Sequence, residues 1–251
     1  MDELNSAPSH RLAGRVAVVT GSAGGLGEAI AARLAADGAA VAGLDIAAPR
    51  GPETEGVTFV QCDVSEPKSV AAAIDDVVAR FGGIDVVVNN AGLLSGRASL
   101  LEMTPEDMHR YYSVNAVGAL LVVQSSFPFL RDSPHRGRVI NVASRTFFTG
   151  GAGQIGYVAS KGALIGMTRV MAREFGEHRI CVNAVMPAQV ATPGTLAHSG
   201  DDVFRKTMSA QVIQEFVTPE DFSGLVSFLA SPDARMITGQ CLVCDGGGLF
   251  H

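Results

Sequence analysis

Val16-Ala17-Val18-Val19-Thr20-Gly21-Ser22-Ala23-Gly24-Gly25-Leu26-Gly27 is the stretch that decides the fold. Its first residues are apolar without alternation, as in a strand buried on both faces of a parallel sheet. A glycine-rich turn follows, and then an alanine-rich run that predicts a helix over 25–37, stopped by Gly38. Glycines at 21, 25 and 27 let the backbone turn sharply and come close to a pyrophosphate, which the amides of a helix N-terminus would face. The spacing is not the standard G-x-G-x-x-G, and a glycine-rich turn after a strand also occurs as a plain tight turn. Ser22 and Leu26 belong to the same turn.

Outward from this unit the pattern repeats. Apolar strand-like runs are read at 40–44, 58–61, 84–88, 138–142, 179–185 and 241–244, and helices at 67–80, 105–130, 157–175 and 219–229. Alternation of this kind predicts an α/β protein: a Rossmann-type, doubly wound, mostly parallel seven-stranded sheet with helices on both faces. A single domain is expected over 12–251, after a loose polar arm at 1–11. The segment 187–216 has no clear period and is read as a long functional loop with one or two short helices.

Composition narrows the class. The chain has 251 residues, 47% hydrophobic and only 18% charged, with 29 glycines. A disordered chain, a coiled coil or a small disulfide scaffold is excluded. A net charge of −6 offers no basic footprint for nucleic acid. No uninterrupted apolar run of membrane-spanning length is present, so no membrane partner is expected. Met1-Asp2-Glu3-Leu4 is unlike a secretory signal, and four cysteines fit a reduced, cytoplasmic protein.

Asp45 ends the second strand, 18 residues past Gly27, with Ile46 beside it. A carboxylate there can accept both ribose hydroxyls of an adenosine and would repel a 2′-phosphate. No Arg or Lys lies in the glycine turn, and Arg50 is several residues away, so NAD is expected over NADP. Asp45 as a helix N-cap is the plainer alternative.

Tyr157 and Lys161 are four apart at a helix start and so share a face, roughly 6 Å apart. An ammonium there would pull the phenol down from about 10, letting it exchange a proton with an alcohol. Y-x-x-x-K alone is common as a surface pair. Ser144 lies just past the fifth strand, Asn89-Asn90-Ala91-Gly92 closes the fourth, and Asn115 sits within a helix, where a buried amide is costly unless used. All fall near the carboxyl ends of central strands, where such sheets bind ligands.

As a set these residues resemble the classical short-chain dehydrogenase/reductase family over about 12–249. Thr20 to Gly27 matches T-G-x-x-x-G-x-G, Asp63-Val64 the acidic adenine contact, Asn89 to Gly92 the N-N-A-G element, and Ile237 to Gly247 the C-terminal signature. The resemblance implies a catalytic tetrad of Asn115, Ser144, Tyr157 and Lys161. Tyr157 would be the general acid/base and Ser144 would orient the substrate oxygen. Lys161 would hold the nicotinamide ribose, and Asn115 would anchor a relay water. It also implies cofactor contacts from Asn90, Ala91, Gly92, Pro187, Val190 and Thr192, and commonly a homotetramer that pairs the long helices. The family's Pro-Gly after the sixth strand is Pro187-Ala188 here.

The substrate is expected to be a small alcohol or ketone. Leu94, Thr146, Phe147, Phe148, Gln154, Gln189 and Met208 are candidate pocket residues, with Ser144 and Tyr157. The two phenylalanines read equally well as core. Arg145, Arg97 and Arg205 are the cations closest to the expected pocket. Cys241-x-x-Cys244 could suggest redox or metal chemistry, but an offset of three in a strand places the two on opposite faces. The six histidines show no metal spacing. A secondary-alcohol oxidoreductase is the leading reading. An NADPH-dependent 3-oxoacyl thioester reductase and a non-catalytic dinucleotide-binding protein are the alternatives.

Overall fold

The computed structural model describes residues 10–49, 51, 54–94, 96, 98–192, 195–196 and 200–250. Residues 1–9 of the expected arm, Arg50 and Arg97 lie outside that set. Seven strands form one sheet in the order β3-β2-β1-β4-β5-β6-β7, and every neighbouring pair is parallel. They are β1 (Val16–Thr20), β2 (Ala40–Asp45), β3 (Val57–Gln61), β4 (Val86–Asn89), β5 (Arg138–Val142), β6 (Cys181–Pro187) and β7 (Cys241–Cys244). The Rossmann-type architecture read from the sequence is the one present.

Strand alternation builds two cores. Val18, Val87, Val139 and Val182 face one side, where α2 (Pro67–Phe81), α4 (Gly118–Asp132) and α6 (Ile155–Glu174) supply Ile74, Val122 and Met171. Val19, Val88, Ile140 and Val185 face the other, against Ile30 and Leu34 of α1 (Gly25–Ala36) and Phe222, Val226 and Leu229 of α8 (Pro219–Ala230). Cys244 packs with this second cluster and Cys241 with a third, on the opposite side of the sheet edge. The C-x-x-C pair is therefore split between faces. Asp37 ties α1 to α8: it accepts from Arg33 Nε at 2.9 Å and from the Ser227 hydroxyl.

Two helices at the rim open with the same tetrapeptide, Thr-Pro-Glu-Asp, at 104–107 and 218–221. In each, the threonine hydroxyl accepts from the backbone N–H of the aspartate, whose carboxylate accepts in return from the threonine N–H. The first is α3 (Pro105–Tyr112). It runs through a π-turn at Ser113–Val117 straight into α4. This replaces the uniform long helix expected at 105–130. The 28-residue run Pro105–Asp132 is long and apolar enough, by length and hydropathy alone, to span a membrane. It packs against α2, α6 and the central strands, the setting of a core helix.

The 187–216 stretch, expected as a long loop with one or two short helices, contains α7 (Asp201–Ser209), held to the body by Phe204, which is 2% exposed and packs edge-on against Phe216. A one-turn helix, α5 (Thr146–Thr149), follows β5 with no counterpart in the sequence pattern; a single turn is too short to show a period.

Candidate active site

The strand order reverses between β1 and β4, and the crevice opens at their carboxyl ends. The two ends are stitched together. Thr20 Oγ1 accepts from Asn90 N and Ala91 N, both at 3.0 Å, and Asn90 Nδ2 donates to the Thr20 and Gly21 carbonyls at 3.0 and 3.1 Å. Gly21 has φ +69°, and a Cβ there would lie 2.8 Å from Ala91 Cα. On Gly27 a Cβ would lie 2.0 Å from the Gly21 carbonyl oxygen. Only glycine allows the helix start to approach the turn so closely. α1 has no side-chain cap, so its first amides are left to the crevice.

The resulting cleft holds about 1340 Å³. Its wall includes Gly21, Gly25, Leu26, Gly27, Asp45, Ile46, Asp63, Val64, Asn90, Ala91, Gly92, Pro187, Val190 and Thr192. Ser22 is not on the wall. It is buried under Gly43, where a Cβ would stand 2.6 Å from its hydroxyl. Asp45 is fixed by backbone: one carboxylate oxygen accepts from Ala23 N at 3.0 Å, the other from Ala47 N at 3.2 Å. It is not a helix cap. Asp63 Oδ1 accepts from Ser65 N at 2.9 Å and Ser65 Oγ at 2.6 Å.

At the other end, Ser144, Tyr157, Lys161, Leu94, Thr146, Gln154 and Gln189 share the same cleft. Ser144 Oγ is 2.7 Å from Thr146 Oγ1 and accepts from Thr146 N at 3.3 Å. It also hydrogen-bonds Tyr157. Lys161 Nζ donates to the Val142 carbonyl at 2.7 Å, and its burial lowers its pKa to about 8. The expectation that lysine makes the phenol acidic needs correcting here. Desolvation pushes the Tyr157 phenol above its ordinary value, and the Ser144 hydrogen bond pulls it partly back.

Asn115 lies within the π-turn, 1% exposed and behind the wall rather than on it. Its amide is used by the chain: Oδ1 accepts from Leu93 N at 2.7 Å, while Nδ2 donates to Ser160 Oγ at 3.0 Å and to the Leu93 carbonyl at 3.4 Å.

Several pocket expectations change. Met208 is off the wall, because Val203 and Thr207 are the residues of α7 that face the cleft. Phe147 and Phe148 are neither core nor cleft. They are 44% and 39% exposed and stack edge-on, ring centroids 5.2 Å apart. Phe147 instead lines a separate apolar groove of about 540 Å³ with Leu100, Ile155 and Ala159. Arg145, on the wall, is held by Asp245 at 3.0 Å, a carboxylate 3% exposed that also accepts from Gly247 N and Gly248 N. Arg205 is exposed and not on the wall. Ala188 donates its N–H to the Cys244 carbonyl at 3.1 Å and does not have the positive φ that would require glycine.

A crevice at the reversal of strand order, a glycine turn and a Ser–Tyr–Lys group at its far end define a nucleotide-binding oxidoreductase. Comparison with known proteins makes the class narrower. A family profile described as enoyl-(acyl carrier protein) reductase matches residues 21–248. The chain is 38% identical to momilactone A synthase of Oryza sativa subsp. japonica, over 96% of this chain and 92% of that one. It is 35% identical to (3R)-3-hydroxyacyl-CoA dehydrogenase of Mus musculus (94% and 97%) and 35% to 4-formylbenzenesulfonate dehydrogenase of Comamonas testosteroni (93% and 97%). The chain belongs to the short-chain dehydrogenase/reductase family of oxidoreductases, whose dehydrogenases bind nicotinamide dinucleotides.

Proposed function

We propose that the protein is an NAD(H)-dependent oxidoreductase interconverting a secondary alcohol and a ketone. The observation that carries this reading is the placement of Ser144, Tyr157 and Lys161 at one end of the cleft whose other end holds Asp45. The cradle fits a dinucleotide. The Gly21–Gly27 turn and the uncapped start of α1 would take the pyrophosphate, Asp45 the adenosine ribose, Asp63 and Val64 the adenine, and Lys161, Pro187, Val190 and Thr192 the nicotinamide end. Bound there, the nicotinamide would give or take the hydride at the carbinol carbon, and its oxidised form would add a positive charge favouring phenolate.

The chain's own residues handle the proton. Ser144 donates to the substrate oxygen. In reduction Tyr157 gives its proton to that oxygen as the alcohol forms, and in oxidation the phenolate takes it back. Thr146, by bonding the Ser144 hydroxyl, keeps it aimed. NAD is favoured over NADP because Asp45 is anchored by two backbone amides and cannot swing away from a 2′-phosphate without losing both.

A thioester substrate is the second reading, because of the hydroxyacyl-CoA relative and the acyl-carrier-protein profile. Among the described wall residues only Arg145 and Lys161 are cationic, against Glu28, Asp45, Asp63 and Glu220. Arg145 is neutralised by Asp245, which leaves little to recognise a carrier's phosphate. Kinetics with NADH and NADPH against simple ketones and a 3-oxoacyl-CoA decide between them. A preference for NADPH by about tenfold, near 1.4 kcal/mol, would overturn the cofactor assignment.

The reading includes a cytoplasmic homotetramer. Val117 and Leu120 on the long helix and Val170 on α6 are exposed apolar positions suited to helix pairing. Light scattering showing a monomer at micromolar concentration would reject it.

A further inference from the structure

Tyr111 stands outside the residues that the proposed function uses, yet three parts of the site meet on it. It lies in α3, one residue before that helix ends. Its hydroxyl accepts from Gly96 N at 2.6 Å and donates to the Leu94 carbonyl at 3.3 Å. Its ring covers Gly156, where a Cβ would fall 2.5 Å from Cδ2 of the tyrosine. Gly156 is buried and immediately precedes Tyr157 in the first turn of α6.

Leu94 is on the cleft wall. The wall segment it belongs to is held at two points by one helical run. Asn115 takes both backbone groups of Leu93, and Tyr111 takes Leu94 and Gly96. Tyr111 and Asn115 are four residues apart and so present to the same side. A segment without regular structure gets its conformation from such contacts, since it has no ladder of its own.

We propose that Tyr111 is a positioning residue for substrate. Its phenol sets the wall at Leu94 relative to Tyr157, with the missing side chain of Gly156 as the socket that seats its ring. The inference rests on the oxidoreductase reading for its substrate term but not for its structural one. Tyr111→Phe keeps the ring in its socket and removes only the two hydrogen bonds, so folding should survive.

Two measurements test it. Steady-state kinetics with NADH, using 2-butanone and acetophenone, should show KM raised about threefold to tenfold, as expected for lost hydrogen bonds, with kcat within about twofold. Hydrogen exchange should be faster by about fivefold or more in the peptide containing Leu94 and Gly96, as local opening becomes easier. Gly156→Ala should copy both effects by pushing the ring out. Unchanged exchange in Tyr111→Phe would dismiss the clamp. Faster exchange with KM unchanged for both ketones would dismiss its role in positioning substrate. A wild-type protein inert toward every ketone with NADH or NADPH would instead reject the proposed function, and exchange alone would then judge the clamp.

Discussion

The two ends of the cleft are built in different ways. The end formed by β1, β2 and β4 is made of neighbouring strand ends whose own side chains bond the backbone beside them. Strand ends are stitched through Thr20 and Asn90, Asp45 is anchored by the N–H groups of Ala23 and Ala47, and the glycine turn is pressed against both. At the opposite end, segments that follow the strands are held by side chains from other elements: Arg145 by Asp245, Gly96 by Tyr111, Leu93 by Asn115. Around it Val212, Ile213 and Phe216 are exposed. The first kind of construction fixes a site for one shape of ligand. The second can be retuned by single substitutions, and substrate choice belongs there.

Four substitutions put this contrast at risk. The largest effect is expected from Tyr157→Phe, which should lower kcat by a factor between about a hundred and ten thousand while cofactor affinity survives. Stopped-flow turnover and fluorescence titration with NADH check the two halves of that statement. Near wild-type turnover would remove Tyr157 from proton transfer. Asp245→Ala leaves the Arg145 guanidinium without its partner and two amides uncapped, and should cost roughly 3 kcal/mol, read as a lower urea midpoint. If the midpoint holds, the far end of the cleft does not depend on that pair.

Asp45→Ala should weaken NADH binding about tenfold and shrink the bias against NADPH. Equal dissociation constants before and after would mean that Asp45 does not reach the ribose. The smallest effect concerns Lys161. Its folded pKa, about 8, lies below the ordinary 10.5. Between these values the unfolded chain holds more protons than the folded one, so burial of the charge penalises stability below pH 8 and the penalty fades as pH rises. Tyr157, shifted upward from 10.0, acts in the opposite sense only above that value. From pH 8 to 10 the Tm of cofactor-free wild type should therefore rise by more than that of Lys161→Met. Parallel curves would show that the lysine is not desolvated.

The same contrast explains what could be read from the sequence. Unbroken apolar runs such as Val16–Val19 and Val86–Val88 announce a two-sided parallel sheet, because each residue must suit one of two cores. The glycine turn and Asp45 could be placed because their geometry follows from a strand end. The expectation at Met208 differs from the structure because nothing in an aperiodic segment says which residues of a short helix face inward, and Val203 and Thr207 do. Phe147 and Phe148 were ambiguous because pattern alone does not separate core, cleft and groove. The Tyr111 clamp gives no local signal: its partners are 15 and 17 residues away and contribute only backbone atoms. The acidic phenol inferred from Tyr157 and Lys161 failed for a related reason. Helical spacing reports proximity, while pKa also depends on water that burial removes.

The repeated Thr-Pro-Glu-Asp start has a practical meaning for redesign. A helix whose first turn is locked by its own four residues does not need a particular predecessor to begin in register. Each copy follows a stretch that contributes to the cleft wall: Leu93 and Leu94 before Thr104, and Gln189, Val190, Val203 and Thr207 before Thr218. These threonines are natural splice points. Segments of other lengths could be grafted up to them to alter specificity, leaving the helices behind in place.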